Sequence, residues 1–155
     1  MRVLFCHGKE GNPNGTKALA IQEEFKNGTV VTPRLTNSYD HVEFLKDLQL
    51  IEAFAVGADV LVGSSRGGAL VCQADTDVPK IMIAPAWKKF QVLPLLTKND
   101  VILHSKKDDL VPYEDSVRLA DLFGCRLIEC GNDHRMSDPD TLDLIKKTIK
   151  EITNG

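Results

Sequence analysis

Two glycines frame a serine in Gly63-Ser64-Ser65-Arg66-Gly67, directly after the apolar run Val60-Leu61-Val62. A serine hydroxyl is a weak nucleophile by itself. It becomes reactive when a tight strand-to-helix turn exposes it and a nearby base removes its proton. The flanking glycines suit such a turn, because a strand and a helix can approach there without a Cβ between them. Two later clusters offer the missing groups. His104-Ser105-Lys106-Lys107-Asp108-Asp109-Leu110-Val111-Pro112 carries acids, and Gly131-Asn132-Asp133-His134 carries a histidine. The chain order is therefore Ser65, then Asp108 or Asp109, then His134. In such a set the histidine takes the serine proton, and the acid fixes its tautomer and stabilises its charged form. Taken alone, Gly-x-Ser-x-Gly also describes a serine- and glycine-rich turn with no chemistry, so the weight falls on the elements around it.

Those elements alternate. Strands are expected over Arg2–Cys6, Thr29–Pro33, Asp59–Gly63, Lys80–Ala84, Asp100–His104 and Arg126–Cys130. Several are nearly continuous in Val, Ile and Leu, the composition of strands buried on both faces. Between them lie helical patterns. Thr16–Lys26 carries Ala20, Ile21 and Phe25, and Asp40–Ala55 is expected to bury Val42, Leu45, Leu48, Ile51 and Phe54. Arg66–Gln73 is short, and Glu114–Phe123 carries Val117, Leu119, Leu122 and Phe123. The last helix has Asp138 as N-cap, Pro139 in its first turn and a stripe of Leu142, Ile145, Ile149 and Ile152. This alternation predicts one α/β domain over 1–155, a doubly wound parallel sheet of about six strands with helices on both faces. Functional groups in such sheets lie just after the strands, at their carboxyl ends, and all three clusters do.

Together these residues resemble the α/β-hydrolase superfamily, over nearly the whole chain. The family's strand-end phrase His-Gly-x-x-Asp-x-x-Val-Pro is similar to His104–Pro112, with Ser105 in place of the glycine. That register assigns the acid to Asp108 rather than Asp109. The resemblance implies a serine hydrolase in which Ser65 attacks an acyl carbon, His134 serves as base and then acid, and Asp108 orients His134. It further implies an oxyanion hole from the backbone N–H groups of Lys9, after the His7-Gly8 turn, and Arg66. His7 is then a structural residue of its loop. The family's two leading antiparallel strands are not expected here, and Pro85–Lys98 is too short for a cap domain. The expectation is a minimal, capless core with an open site, of the small carboxylesterase type. Trp87, Phe90 and Leu93 are candidates to wall a pocket or to pack on the sheet.

Composition excludes other classes. The chain is 43% hydrophobic and 26% charged with a net charge of -3, and it has no basic stripe, which argues against nucleic acid. No run of about 18 apolar residues suggests a membrane span. Cys6, Cys72, Cys125 and Cys130 sit in apolar runs without Cys-x-x-Cys spacing, which points to buried thiols in a reducing cytoplasm. Residues 8–17 lack the order of a P-loop or a dinucleotide fingerprint, so a phosphate cradle there is the weaker reading. No metal-ligand spacing and no cofactor motif is present. His41 is expected at the surface and His104 as a satisfied core or loop histidine. The partner expected is a small-molecule acyl substrate, whether ester, thioester, peptide or lactone. The main alternative is a catalytically silent binding protein of the same fold.

Overall fold

The computed structural model describes residues 1–8 and 11–154. In chain order its elements are β1 (Arg2–Cys6), α1 (Thr16–Glu24), β2 (Thr29–Val31), α2 (His41–Ala55), β3 (Val60–Ser64), α3 (Arg66–Gln73), β4 (Lys80–Ile83), β5 (Val101–His104), α4 (Tyr113–Phe123), β6 (Arg126–Glu129) and α5 (Pro139–Asn154). The six strands form one sheet in the order β2-β1-β3-β4-β5-β6. Every pairing among the described residues is parallel. The strand order reverses between β1 and β3, so their carboxyl ends flank the crevice where such sheets bind ligands.

Side chains alternate across the sheet as the pleat requires. Val3, Phe5, Val60, Val62, Ile81, Ile83, Val101 and Leu103 pack with Ala18 and Ile21 of α1 and Ile145 and Ile149 of α5. Leu4, Cys6, Leu61, Met82 and Ile102 pack on the opposite face with α2, α3 and α4. Expected and observed elements agree to within a residue or two at most ends. β2 stops at Val31, two residues early, because it is an edge strand and Pro33 has no N–H to continue a ladder. Asp138 caps α5 through its carboxylate, which accepts from the Thr141 N–H at 3.1 Å and the Thr141 hydroxyl at 2.8 Å.

One expectation about the core fails. α2 does not bury Val42 or Leu45; they are exposed, and the inward face is Phe44, Asp47, Leu48, Ile51 and Ala55. The expected stripe steps by three residues, which drifts around a helix of 3.6 residues per turn. The true stripe contains an aspartate, which an apolar pattern passes over. On α4, Leu122 is likewise exposed, while Ser116 and Leu119 are buried.

The turn between β3 and α3 has the closest glycine approaches among the described residues. A Cβ on Gly63 would lie 2.3 Å from the Gly67 carbonyl oxygen, and one on Gly67 would lie 2.0 Å from that of Cys6. Backbone atoms cannot yield at that range, so α3 seats against β1 and β3 only if both residues are glycine. Gly67→Ala should therefore cost about 3 kcal/mol or more. Its urea midpoint should fall steeply, and an unchanged midpoint would refute this account.

Candidate active site

Ser65 sits between β3 and α3 with φ 56° and ψ -112°. A non-glycine residue at such a φ carries strain of about 1–3 kcal/mol. The turn is held by the Ser65 N–H donating to the Ile83 carbonyl at 2.9 Å, and by the Ala86 N–H donating to the Ser65 carbonyl at 3.0 Å. The strain lifts the side chain above the sheet. There Ser65 Oγ lies 2.8 Å from His134 Nε2, and His134 Nδ1 lies 2.7 Å from Asp108 Oδ2. The structure thus brings Ser65, His134 and Asp108 from the ends of β3, β6 and β5 into one hydrogen-bonded chain.

The electrostatics of that chain follow from its partners. The Asp108 side chain is fully buried. Burial by itself would raise its pKa, but the Val111 N–H, His134 and the Leu110 N–H together carry it below the ordinary carboxylate value. Both of those N–H groups donate to Oδ1 at 2.8 Å. With an ionised Asp108 accepting at Nδ1, the His134 proton sits on Nδ1 and leaves Nε2 free to accept from the serine hydroxyl.

A further histidine completes this arrangement. His104 is fully buried, and its Nε2 contacts Asp108 Oδ2 at 3.0 Å and the Val111 carbonyl at 3.1 Å. Its Nε2–H donates to both, so Nδ1 accepts from the Ser116 hydroxyl at 2.6 Å. His104 is the satisfied histidine expected, and it also fixes the carboxylate that holds His134.

Asp109 and Asp133 are not in the chain. Asp133 Oδ1 instead accepts the Met136 N–H at 3.1 Å. His7 is buried, with Nε2 accepting the Leu35 N–H at 2.9 Å and Nδ1 donating to the Gly8 carbonyl at 2.8 Å, the structural role expected of it. His41 is exposed. Lys9 lies outside the described residues, so the structure gives no position for that oxyanion donor. Its neighbour Gly8 comes close to the turn, since a Cβ there would lie 3.1 Å from Ser65 Cβ. The Arg66 N–H opens α3, where helical N–H groups have no partner within the helix.

Sequence reasoning used only the backbone of Arg66. Its side chain is 1% exposed and ion-paired to the buried Asp47 at 2.7 Å. Nε donates to the Ser38 carbonyl and Nη2 to the Thr36 hydroxyl, each at 2.9 Å. Phe44 and Phe90 lie beside the guanidinium, at 5.4 and 5.5 Å from their ring centroids. The residue next to Ser65 is therefore fastened to α2 and to the loop before it.

The cleft over Ser65 has a volume of about 810 Å³. Of the candidate wall residues Phe90 lines it, while Trp87 packs on the core and donates to the Asp115 carbonyl at 3.0 Å. Leu93 is exposed and does not line it. No helix or strand interrupts residues 85–100, so nothing is inserted there to cover the cleft.

Two outcomes are expected. Asp47→Ala strands a buried guanidinium and should cost about 3–5 kcal/mol in chemical denaturation. The second concerns pH. Burial, the larger influence, lowers the His104 and His7 pKa values below 6.5. Below about pH 6.5 the unfolded chain therefore binds more protons than the folded one, and stability is lost as pH falls through the native values. The urea midpoint should drop between about pH 7 and pH 5. His104→Gln should flatten that drop; an unaltered slope would assign the dependence elsewhere.

No protein-family model matches the chain. The bovine (Bos taurus) palmitoyl-protein thioesterase ABHD10, mitochondrial, is 26% identical over 220 residues, covering 97% of this chain and 72% of that protein. Those 220 residues exceed the chain's own 155, so the relative carries insertions this chain lacks. A Xanthomonas campestris protein assigned to the α/β hydrolase superfamily superposes with a TM-score of 0.80 at 22% identity, covering 99% of this chain and 98% of that one. An α/β serine hydrolase without lid from Xanthomonas campestris gives a TM-score of 0.68 at 15% identity, over 98% of this chain and 81% of that one. The parallel sheet, its strand order and these likenesses agree: the chain is built on the α/β-hydrolase fold, in its minimal form without a cap.

Proposed function

We propose that the chain is a serine hydrolase that cleaves an ester, thioester or similar acyl bond of a small molecule through an acyl-serine intermediate. The observation that carries this reading is the pair of contacts at 2.8 and 2.7 Å linking Ser65 through His134 to Asp108, on a serine held at positive φ. The relative named as a thioesterase supports the hydrolase class.

The proposed steps run as a proton relay along this chain of contacts. His134 Nε2 takes the Ser65 proton as Oγ bonds to the acyl carbon, and Asp108 stabilises the imidazolium that forms. The carbonyl oxygen becomes an oxyanion facing the N-terminus of α3, where the Arg66 N–H donates to it, with the Lys9 N–H as second donor. The intermediate collapses, the acyl-to-leaving-group bond breaks, and the leaving atom takes the proton from Nε2. Water then repeats the sequence on the acyl-serine and regenerates the hydroxyl. The scheme is complete with protein groups and one water. The four cysteines are unpaired thiols, buried or nearly so; burial pushes Cys72 up to about 12 and Cys125 and Cys130 up to about 11. Inert thiols of this kind suit a reducing setting such as the cytoplasm.

A fluorophosphonate probe should label the wild type and leave Ser65→Ala unlabelled. Equal labelling of both, or of neither, would remove the basis for an active serine. Asp108→Asn should keep the fold and lower kcat by about 10⁴-fold, because the histidine then adopts the wrong tautomer.

A further inference from the structure

The cleft has two chemically different walls, drawn from opposite faces of the sheet. On the α2 and α3 face stand Tyr39, Ala86, Phe90, Leu110 and Val111, with Lys89 and Asp109 also reaching the cleft from exposed positions. The Phe90 ring stacks on Tyr39 at 5.5 Å and on Phe44 at 5.3 Å, with interplanar angles of 13° and 10°. Arg66, whose guanidinium lies beside Phe44 and Phe90, is already matched by Asp47. On the α1 and α5 face Asn12, Thr16, Lys17, Asp133, Arg135 and Ser137 stand over the buried Phe5 and Ala18. Lys17 Nζ donates to the Arg135 carbonyl and, at 3.4 Å, to the Ser137 hydroxyl, which ties this wall to the loop that carries His134.

The acyl-serine reading gives these walls a direction, and the assignment of each wall to one half of the substrate rests on that reading. The leaving atom must take its proton from His134 Nε2, so the leaving group departs along the wall that carries His134. Asp133 and Arg135 are the chain neighbours of that histidine. The acyl group, held on Ser65, is left to the other side. We propose that the substrate joins an apolar acyl group, lying against Tyr39 and Phe90, to a polar alcohol or thiol, lying against Asn12, Lys17 and Arg135.

The two chemical steps separate the walls. Acylation involves both halves of the substrate, whereas deacylation begins after the leaving group has gone and involves only the acyl wall. Tyr39 is 62% exposed, so Tyr39→Ala should leave the fold intact. The test uses p-nitrophenyl acetate, p-nitrophenyl hexanoate and the hexanoyl thioester of coenzyme A, with acylation read from the burst and deacylation from the steady state. In Tyr39→Ala the hexanoate-to-acetate ratio of kcat/KM should fall about tenfold, and hexanoyl-enzyme hydrolysis should change by the same factor whichever substrate delivered the acyl group. Arg135→Ala should slow acylation by the thioester about tenfold and act on that step alone. Equal effects of Tyr39→Ala on acetate and hexanoate would overturn the proposal. So would slowed deacylation in Arg135→Ala with none in Tyr39→Ala, which would reverse the walls. If fluorophosphonate still labels Ser65 in those cases, only the orientation has failed. If the wild type shows neither burst nor labelling, the serine reading falls and takes the orientation with it.

Discussion

The Gly67 backbone lies so close to the Cys6 carbonyl that no side chain fits between them. This contact joins α3 to the end of β1, although the two are far apart in the chain. It places the first N–H groups of α3 beside the loop after β1, and it forces the residue between β3 and α3 into a turn that regular backbone cannot make. Ser65 projects where it does because of that packing. The reach of His134 and Asp108 matters only once it is met.

A second constraint works outward from the same turn. Arg66 anchors its side chain in Asp47, Thr36 and Ser38, while His7 accepts from Leu35 in the same loop. Residues 35–38 therefore brace the turn after β1 and the turn after β3 at once. A buried ion pair adds little net stability against an apolar replacement, but losing one partner leaves a charge without solvation. Such a pair favours one arrangement over its near neighbours, which suits a site where tenths of an ångström decide reach.

Much of this was legible in the sequence, and the parts that were not share a physical reason. The strands of the sheet centre announced themselves because burial on both faces demands unbroken Val, Ile and Leu. Ser65 and His134 stood out because a parallel sheet collects its strand ends at one edge, whereas type and order left Asp108 and Asp109 open and only the register of the family's strand-end phrase chose Asp108. The inward face of α2 was misread because Asp47 occupies a core position, and a charge is acceptable there only with Arg66 opposite. That pairing is tertiary and leaves no local trace. The part played by His104 was hidden for a similar reason: a histidine at a strand end reads as packing until the fold sets Asp108 against its Nε2.

The positive φ of Ser65 bears on how this chain can drift over evolutionary time. Most positions lose stability when altered, and selection removes the losses. Position 65 is the reverse, since glycine adopts that backbone without strain and its introduction there would relax the turn. A lineage with no use for the hydroxyl would find this among its easiest stabilising changes. Serine at 65 is therefore a standing expense, and the position where loss of the hydroxyl and gain of robustness would arrive in a single codon.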